Sequence, residues 1–221
     1  MLKSYVLRMG RFTDAQKKAY KTLAEKYIIP FSEKSLNLEK VFGNCCGVTV
    51  EIGFGMGGAT AALAETNPDK NYLGIEVHRP GVGKLLWEVE NRLIQNIRII
   101  EYDAIHVMQK MIPPGSLEAI HIFFPDPWPK KKHHKRRLVQ SPFTSVLANT
   151  LKPGGYLYMV TDWEDYALFA LEELNAVTEL YNSCEGFSPA QVWRPQTKFE
   201  KKGLSKDHKI RELLFLKRES L

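Results

Sequence analysis

One stretch most constrains the fold of this chain: a short apolar strand pattern that runs directly into a glycine cluster and then a helical pattern. Val48–Ile52 is apolar and β-branched, four glycines follow within residues 53–58, and residues 58–65 are rich in alanine. Glycine permits positive φ and lets a ligand come close to the backbone. Strand, glycine turn and helix in this order predict the first βα unit of a parallel sheet, with a ligand at the turn.

The rest of the chain continues this alternation with short connections. Further strand patterns cover residues 72–77, 97–100, 119–124, 156–161 and 210–217. Helical patterns cover residues 14–27, 80–94, 143–151 and 165–181, and a short one follows the third strand and ends at residue 111. The strands are continuous apolar runs, which is typical of a sheet covered by helices on both faces. We therefore expect an α/β fold built on a mostly parallel, twisted sheet.

Acidic residues accompany the first three predicted strands: Glu51, Glu76 and Asp103. The glycines also satisfy G-x-G-x-x-G with Glu76 eighteen residues later, which is the dinucleotide fingerprint of a nicotinamide-dependent enzyme. Three acids at adjacent strand ends favour S-adenosylmethionine instead. Carboxylates accept hydrogen bonds from its ammonium, its ribose hydroxyls and its adenine amine, whereas a pyrophosphate prefers an uncrowded helix N-terminus.

A rigid aromatic segment follows the fourth predicted strand. Asp126 lies between Pro125 and Pro127, whose rings fix φ and remove two backbone donors. Aromatic residues flank the segment on both sides. A stacking surface beside a carboxylate suits a nucleobase, and guanine donates through N1–H and its exocyclic amine. We predict that Asp126 holds the edge of such a base.

Positive charge is concentrated in three segments. The net charge is +6, yet residues 130–137 alone carry six Lys and Arg side chains and no acid. Residues 1–26 and 191–221 each carry +5, which leaves −10 on the remainder. Basic segments on an acidic body indicate a polyanionic partner, most often nucleic acid.

The remaining composition indicates a reducing compartment. The three cysteines have neither disulfide nor metal-ligand spacing, so we expect no metal. Residues 1–20 are polar and basic without an apolar signal region, and the apolar runs are strand-sized. We expect a cytoplasmic protein without a membrane span.

Six segments give the chain a resemblance to a known family. They are Glu51–Gly57, Gly74–Gly83, Phe123–Trp128, Lys135–Arg137, Thr161–Trp163 and Thr197–Glu200. The sequence closely resembles the bacterial tRNA (guanine-N7)-methyltransferases, a branch of the class I S-adenosylmethionine-dependent methyltransferases. Residues 8–11 also look like the N-terminal arm of that family.

The resemblance implies a Rossmann-like methyltransferase domain over residues 48–221 with an antiparallel C-terminal strand, and a basic N-terminal arm and helix over residues 1–47 that pack on it. It implies methyl transfer from S-adenosylmethionine, leaving S-adenosylhomocysteine, to N7 of the variable-loop guanine 46 of tRNA. The implied cofactor contacts are Glu51, Gly53, Gly55, Gly57, Glu76, Asp103 and Asp126. The implied guanine or tRNA contacts are Lys130, Asp162, Thr197, Lys198, Phe199 and Glu200, and the implied RNA-backbone contacts are Lys132, Lys135, Arg136 and Arg137.

Guanine N7 carries a lone pair and no proton, so it needs no base to attack a methyl group. We expect catalysis by proximity and orientation, with Asp126 as the catalytic residue whose charge stabilises the purine as it becomes cationic. Three alternatives stay open: a nicotinamide-dependent oxidoreductase, a non-catalytic RNA-binding subunit, and a methyltransferase for another RNA or a small molecule. The sequence also leaves open whether the chain is a monomer or a homodimer.

Overall fold

Strands and helices alternate along most of the chain, as the sequence predicts. The computed structural model describes residues 4–5, 10, 12–197, 200, 203–205 and 207–219. The strands are β1 (Val48–Ile52), β2 (Asn71–Ile75), β3 (Ile97–Ile100), β4 (Leu117–Phe123), β5 (Leu151–Thr161), β6 (Leu180–Asn182) and β7 (Arg211–Lys217). The helices are α1 (Asp14–Tyr27), α2 (Leu38–Phe42), α3 (Gly58–Thr66), α4 (Arg79–Asn91), α5 (Ala104–Lys110), α6 (Phe143–Thr150), α7 (Glu164–Asn175) and a 3₁₀ helix, η1 (Lys131–Arg136).

These strands form one sheet in the order β3-β2-β1-β4-β5-β7-β6. The strands β1 to β5 are parallel, while β7 runs antiparallel to both β5 and β6. The predicted antiparallel C-terminal strand is therefore confirmed. The carboxyl ends of β1 to β5 share one edge, and the strand order reverses between β1 and β4. In open α/β sheets this is where ligands bind.

Apolar side chains bury both faces of the sheet. Val50 and Ile52 belong to one cluster, which also contains side chains of α5, α6 and α7. The other cluster contains side chains of α1, α3 and α4. This arrangement confirms the predicted helices on both faces and explains why the strands are apolar throughout. Within the described part of the chain, no helix is long and apolar enough to cross a membrane.

The predicted helix over residues 165–181 is wrong in its last six residues. The helix α7 ends at Asn175, and Leu180–Asn182 instead forms the edge strand β6. Val177, Thr178 and Tyr181 lie in this stretch, and β-branched and aromatic side chains favour strands. Leu180 pairs with Lys217, so pairing with β7 makes residues 180–182 a strand rather than the end of the helix.

The helix α1 packs on the parallel domain rather than standing apart from it. It begins with a capping box, in which the Thr13 hydroxyl accepts from the Gln16 amide and the Gln16 side chain accepts from the Thr13 amide. A Cβ at Gly83 of α4 would lie 3.0 Å from Gln16 O of α1, so the two helices approach closely. The Tyr27 hydroxyl donates to Ile94 O at 3.2 Å, which fixes the far end of α1.

Candidate active site

The glycines after β1 form a tight loop that leads into α3. Gly53, Gly55 and Gly57 have φ values of +74°, +58° and +72°, which favour glycine. The helix α4 crowds this loop, since a Cβ at Gly81 would lie 2.0 Å from Gly55 O. A Cβ at Gly53 would meet no heavy atom of the described residues within 4 Å. The loop is therefore held firmly but leaves room for a ligand at Gly53.

Glu51 is a buried carboxylate within β1, just before the glycine loop. Its residue surface is only 3% exposed, and the Thr60 hydroxyl of α3 donates to Oε2 at 2.7 Å. The pKa of Glu51 is raised to about 7, chiefly by burial; the hydrogen bond from Thr60 opposes this shift and the charge of nearby Glu76 adds to it. A half-ionised buried carboxyl of this kind suits a cationic partner such as an ammonium group.

Glu76, just after β2, ties the glycine loop to the neighbouring strand. Its Oε2 accepts from the Gly55 amide at 2.7 Å, and its Oε1 accepts from the amides of Val77 and His78 at 2.7 and 3.0 Å. Burial raises the pKa of Glu76, although these amides oppose the shift. The bonds hold both carboxylate oxygens in place, and Oε2, which accepts only one amide, keeps a second lone pair for a ligand hydroxyl.

Asp103 follows β3 and caps α5. Its Oδ1 accepts from the amides of Ile105 and His106 at 2.9 and 3.3 Å, and His106 Nδ1 lies 3.2 Å from the same oxygen. Since these bonds use Oδ1, Oδ2 is the oxygen that can face an adenine amine. The structure thus brings Glu51, Glu76 and Asp103 to the same edge of three neighbouring strands, and this set of hydrogen-bond acceptors fits the ammonium, ribose hydroxyls and adenine amine of S-adenosylmethionine.

The segment after β4 has a strained backbone. Phe124 and Trp128 have φ values of +52° and +48°, which cost about 1–3 kcal/mol each for residues other than glycine. Trp128 is buried, and its indole Nε1 donates to Ser4 O at 3.1 Å. The Arg136 guanidinium lies 3.7 Å from the centre of the Trp128 ring. These contacts hold the loop that carries the exposed Asp126 after the carboxyl end of β4, the strand next to β1.

The basic run forms the 3₁₀ helix η1 directly after this loop. Lys130, Lys132 and Lys135 are exposed. Arg136 is half-buried because it stacks on Trp128 and donates to Tyr5 O at 3.1 Å. The exposed lysines present a cationic surface beside Asp126.

Arg137 does not join this surface. Its side chain is 1% exposed, donates to Pro127 O at 3.1 Å and pairs with Asp165 of α7. The guanidinium also lies about 5 Å from the rings of Tyr166 and Phe169. This burial does not fit the predicted contact between Arg137 and RNA phosphates, because the guanidinium already joins the Asp126 loop to α7.

The C-terminal segment reaches the carboxyl end of β5. Asp162 lies 3.2 Å from His208 Nδ1, and a Cβ at Gly203 would lie 2.9 Å from its Oδ2. Thr197 and Glu200 bond to each other reciprocally, the Glu200 amide to Thr197 Oγ1 at 3.1 Å and the Thr197 amide to Glu200 Oε2 at 3.4 Å. Lys198 and Phe199 lie outside the described residues.

Two features of this region were missed from the sequence. The first is the contact of Ser4 and Tyr5 with the Trp128 loop. The second is Arg194, whose buried guanidinium pairs with Glu200 and Glu212. The four acids within the otherwise basic residues 191–221, Glu200 and Glu212 among them, were the available sign of such a pairing.

The sheet order, the glycine loop and the carboxylates at the strand ends together define a class I methyltransferase. The 16S rRNA methyltransferase KamB shares this fold with a TM-score of 0.58 at 12% identity, over 96% of this chain and 97% of its own. The antibiotic-resistance methyltransferase Kmr shares it with a TM-score of 0.57 at 14% identity, over 87% of this chain and 96% of its own.

Sequence similarity identifies the family within this class. Residues 47–213 match a family model described as "Putative methyltransferase". A tRNA (guanine-N(7)-)-methyltransferase of Nitrosomonas eutropha is 50% identical over 98% of this chain and 96% of its own length. One of Chromobacterium violaceum is 46% identical over 97% and 95%. The chain belongs to the tRNA (guanine-N(7)-)-methyltransferase family.

Proposed function

We propose that the chain transfers a methyl group from S-adenosylmethionine to N7 of guanine 46 in the variable loop of tRNA. One observation carries this proposal: the carboxylates at and just after the ends of β1, β2 and β3 stand on the same sheet edge as Asp126, and exposed lysines begin four residues after Asp126. The first group suits a cationic cofactor and the second a polyanionic substrate. The full-length relatives named above support the same activity.

Four residue groups would hold the cofactor. Glu51 would accept from its ammonium, Glu76 from its ribose hydroxyls and Asp103 from its adenine amine, while Gly53, Gly55 and Gly57 allow close approach to the backbone. S-adenosylmethionine supplies an electrophilic methyl group on a sulfonium. Asp126 would lie near both the cofactor and the base.

Asp126 would orient the guanine rather than deprotonate it. Its carboxylate matches the N1–H and amine edge, and its charge would stabilise the purine as methylation makes it cationic. Lys130, Asp162 and Thr197 would contact the guanine or its nucleotide. Lys132, Lys135 and Arg136 would contact RNA phosphates, and we leave Arg137 out of this group because it is buried.

The N-terminal region would serve the same site. We place the boundary between a basic arm with its helix and the methyltransferase domain at residue 47, and the packing of α1 on α4 supports a fixed attachment. Since tRNA is the proposed substrate, we propose a cytoplasmic location.

The experiment incubates the protein with methyl-labelled S-adenosylmethionine and an unmodified tRNA transcript, and then maps the label by nuclease digestion. We expect one 7-methylguanosine, at position 46. A transcript with adenosine at position 46 is the matched control and should stay unlabelled. Label at another nucleotide, or no label, would contradict the proposal.

A further inference from the structure

A cavity of about 400 Å³ lies beside the sheet, away from the carboxyl ends of the strands where we place the cofactor. Of the residues that line it, Lys70 directly precedes β2 and Asn67 directly follows α3, so this part of its wall stands at the amino ends of the strands. Leucines of α3 and β7 form another part of the wall. We call it the amino-edge cavity, and its volume lies within the range of pockets that hold small molecules.

Aromatic rings form much of the remaining wall. The His121 ring of β4 lies nearly parallel to the Trp193 ring, with centres 5.1 Å apart and planes inclined by 23°. Tyr72 of β2 and Tyr156 of β5 also line the cavity. Trp193 is 39% exposed, so part of its indole is open to a bound molecule. Rings of this kind favour a planar aromatic ligand, which buries a large apolar area against them.

His121 brings a polar atom with no partner into this wall. The residue is buried, and its Nε2 lies 3.2 Å from the Tyr156 hydroxyl, whereas Nδ1 forms no hydrogen bond with any described residue. Burial, with the charge of Lys70 as a second cause, lowers the pKa of His121 to about 3, so the ring is neutral at physiological pH. Buried polar atoms normally have a partner, which here would be a bound molecule or an ordered water.

Lys70 gives the cavity a position for an anionic group. Among the described residues that line the cavity, Lys70 alone has a charged side chain. Its Nζ lies 3.8 Å from Glu118 Oε1, beyond hydrogen-bonding distance, and Lys152 Nζ lies 3.7 Å from Oε2 of the same carboxylate. Because two lysines share this carboxylate at long range, Lys70 can pair with an anion while Lys152 stays beside Glu118.

We propose that the amino-edge cavity binds a planar aromatic molecule that carries one anionic group, either a carboxylate or a phosphate. The aromatic part stacks on Trp193 and contacts the two tyrosines, the anionic group pairs with Lys70, and a polar atom of the ligand completes the hydrogen bonding of His121. The site is separate from the cofactor edge and does not depend on the proposed function.

Calorimetric titration tests the ligand class with two anionic probes, 2-naphthoate and uridine 5′-monophosphate, and with their uncharged analogues, 2-naphthamide and uridine. We expect at least one anionic probe to saturate the protein, and its analogue to bind about tenfold more weakly because it lacks the charge that pairs with Lys70. The probe that binds distinguishes a carboxylate ligand from a phosphate ligand. No saturable binding of either probe below about 10 mM would leave water as the partner of His121 and overturn the proposal.

Substitutions show where the probe binds. We expect Lys70→Met to weaken binding of the anionic probe about tenfold and of its analogue by less than about twofold, and Trp193→Leu to weaken both to a similar extent. Lys110→Met is the matched control, because Lys110 is exposed at the end of α5, which packs on the other face of the sheet. Equal losses from Lys70→Met and Lys110→Met would indicate attraction to net charge alone and overturn the proposal.

Two measurements on the wild-type protein are independent of these variants. The ¹⁵N resonance of His121 Nδ1 should shift as the probe saturates the protein, and the Kd of the probe should stay the same when S-adenosylhomocysteine is present. An unshifted resonance, or displacement of the probe by S-adenosylhomocysteine, would overturn the proposal. Failure of methyl transfer to tRNA would refute the proposed function and leave these binding results unchanged.

Discussion

Glu51 is the most deeply buried of the acidic residues that we propose to hold the cofactor, and this burial has a measurable effect on stability. Its ordinary pKa is 4.5, and burial raises it to about 7 in the folded protein. Between these values the folded state retains a proton that the unfolded chain has lost. The free energy of unfolding therefore falls as pH rises through this window, by a total on the order of 3 kcal/mol.

Glu51→Gln should remove this pH dependence while keeping the side-chain shape. We expect the variant to gain stability over wild type as pH rises from 4.5 to 8, because Gln carries no charge to desolvate. Denaturant unfolding of both proteins without cofactor at several pH values measures the difference. A difference that stays constant with pH would show that Glu51 does not titrate in this way. The same variant should bind S-adenosylmethionine more weakly.

Asp126 is exposed, and Pro125 and Pro127 fix their own φ angles on either side of it. We expect Asp126→Ala to lower kcat about 10²–10³-fold, as expected when one preorganised charge is removed, while the protein still folds. Asp69→Ala is the matched control, since Asp69 is also exposed but lies before β2. Near-normal turnover by Asp126→Ala would remove Asp126 from the mechanism.

At the level of elements, the sequence predicts those strands, turns and helices that are determined by residues close together in the chain. The strand β1, its glycine loop and the helix α3 are evident from Val48 to Glu65, because apolar runs and glycines act within a few residues. The helix α7 is predicted too long because its end depends on the pairing of Leu180 with β7, which is distant in sequence. For the same reason, the sequence predicts an RNA contact for Arg137, which is buried, and does not reveal the buried pairing of Arg194. Carboxylates elsewhere in the chain decide whether each guanidinium is buried.

The basic run over residues 130–137 shows how neighbouring basic residues can differ in role. Arg137 joins the Asp126 loop to α7, whereas Lys135 is exposed. We expect Arg137→Met to lower the free energy of unfolding by about 2 kcal/mol, through loss of buried hydrogen bonds, and Lys135→Met to change it by less than about 0.5 kcal/mol. Denaturant unfolding of the two variants provides the comparison. Equal stability would show that the Arg137 contacts contribute nothing to the fold.

Across the whole molecule, opposite charges meet at one edge of the sheet. The overall charge of +6 hides an acidic body and three basic segments. The acids Glu51, Glu76 and Asp103 lie at the ends of β1, β2 and β3, and the basic helix η1 follows β4, which is adjacent to β1. A cationic cofactor and a polyanionic substrate can therefore approach the same edge from neighbouring surfaces.

This separation of charge predicts how tRNA binding depends on salt. Each phosphate contact releases counterions, so the logarithm of the affinity falls linearly with the logarithm of salt concentration. We expect Lys132→Ala and Lys135→Ala each to flatten this slope by about one, and Lys110→Ala, which removes an exposed charge at the end of α5, to leave it unchanged. Equal slopes for all three variants in binding titrations would show that η1 does not contact the RNA backbone, because net charge alone changes equally in each.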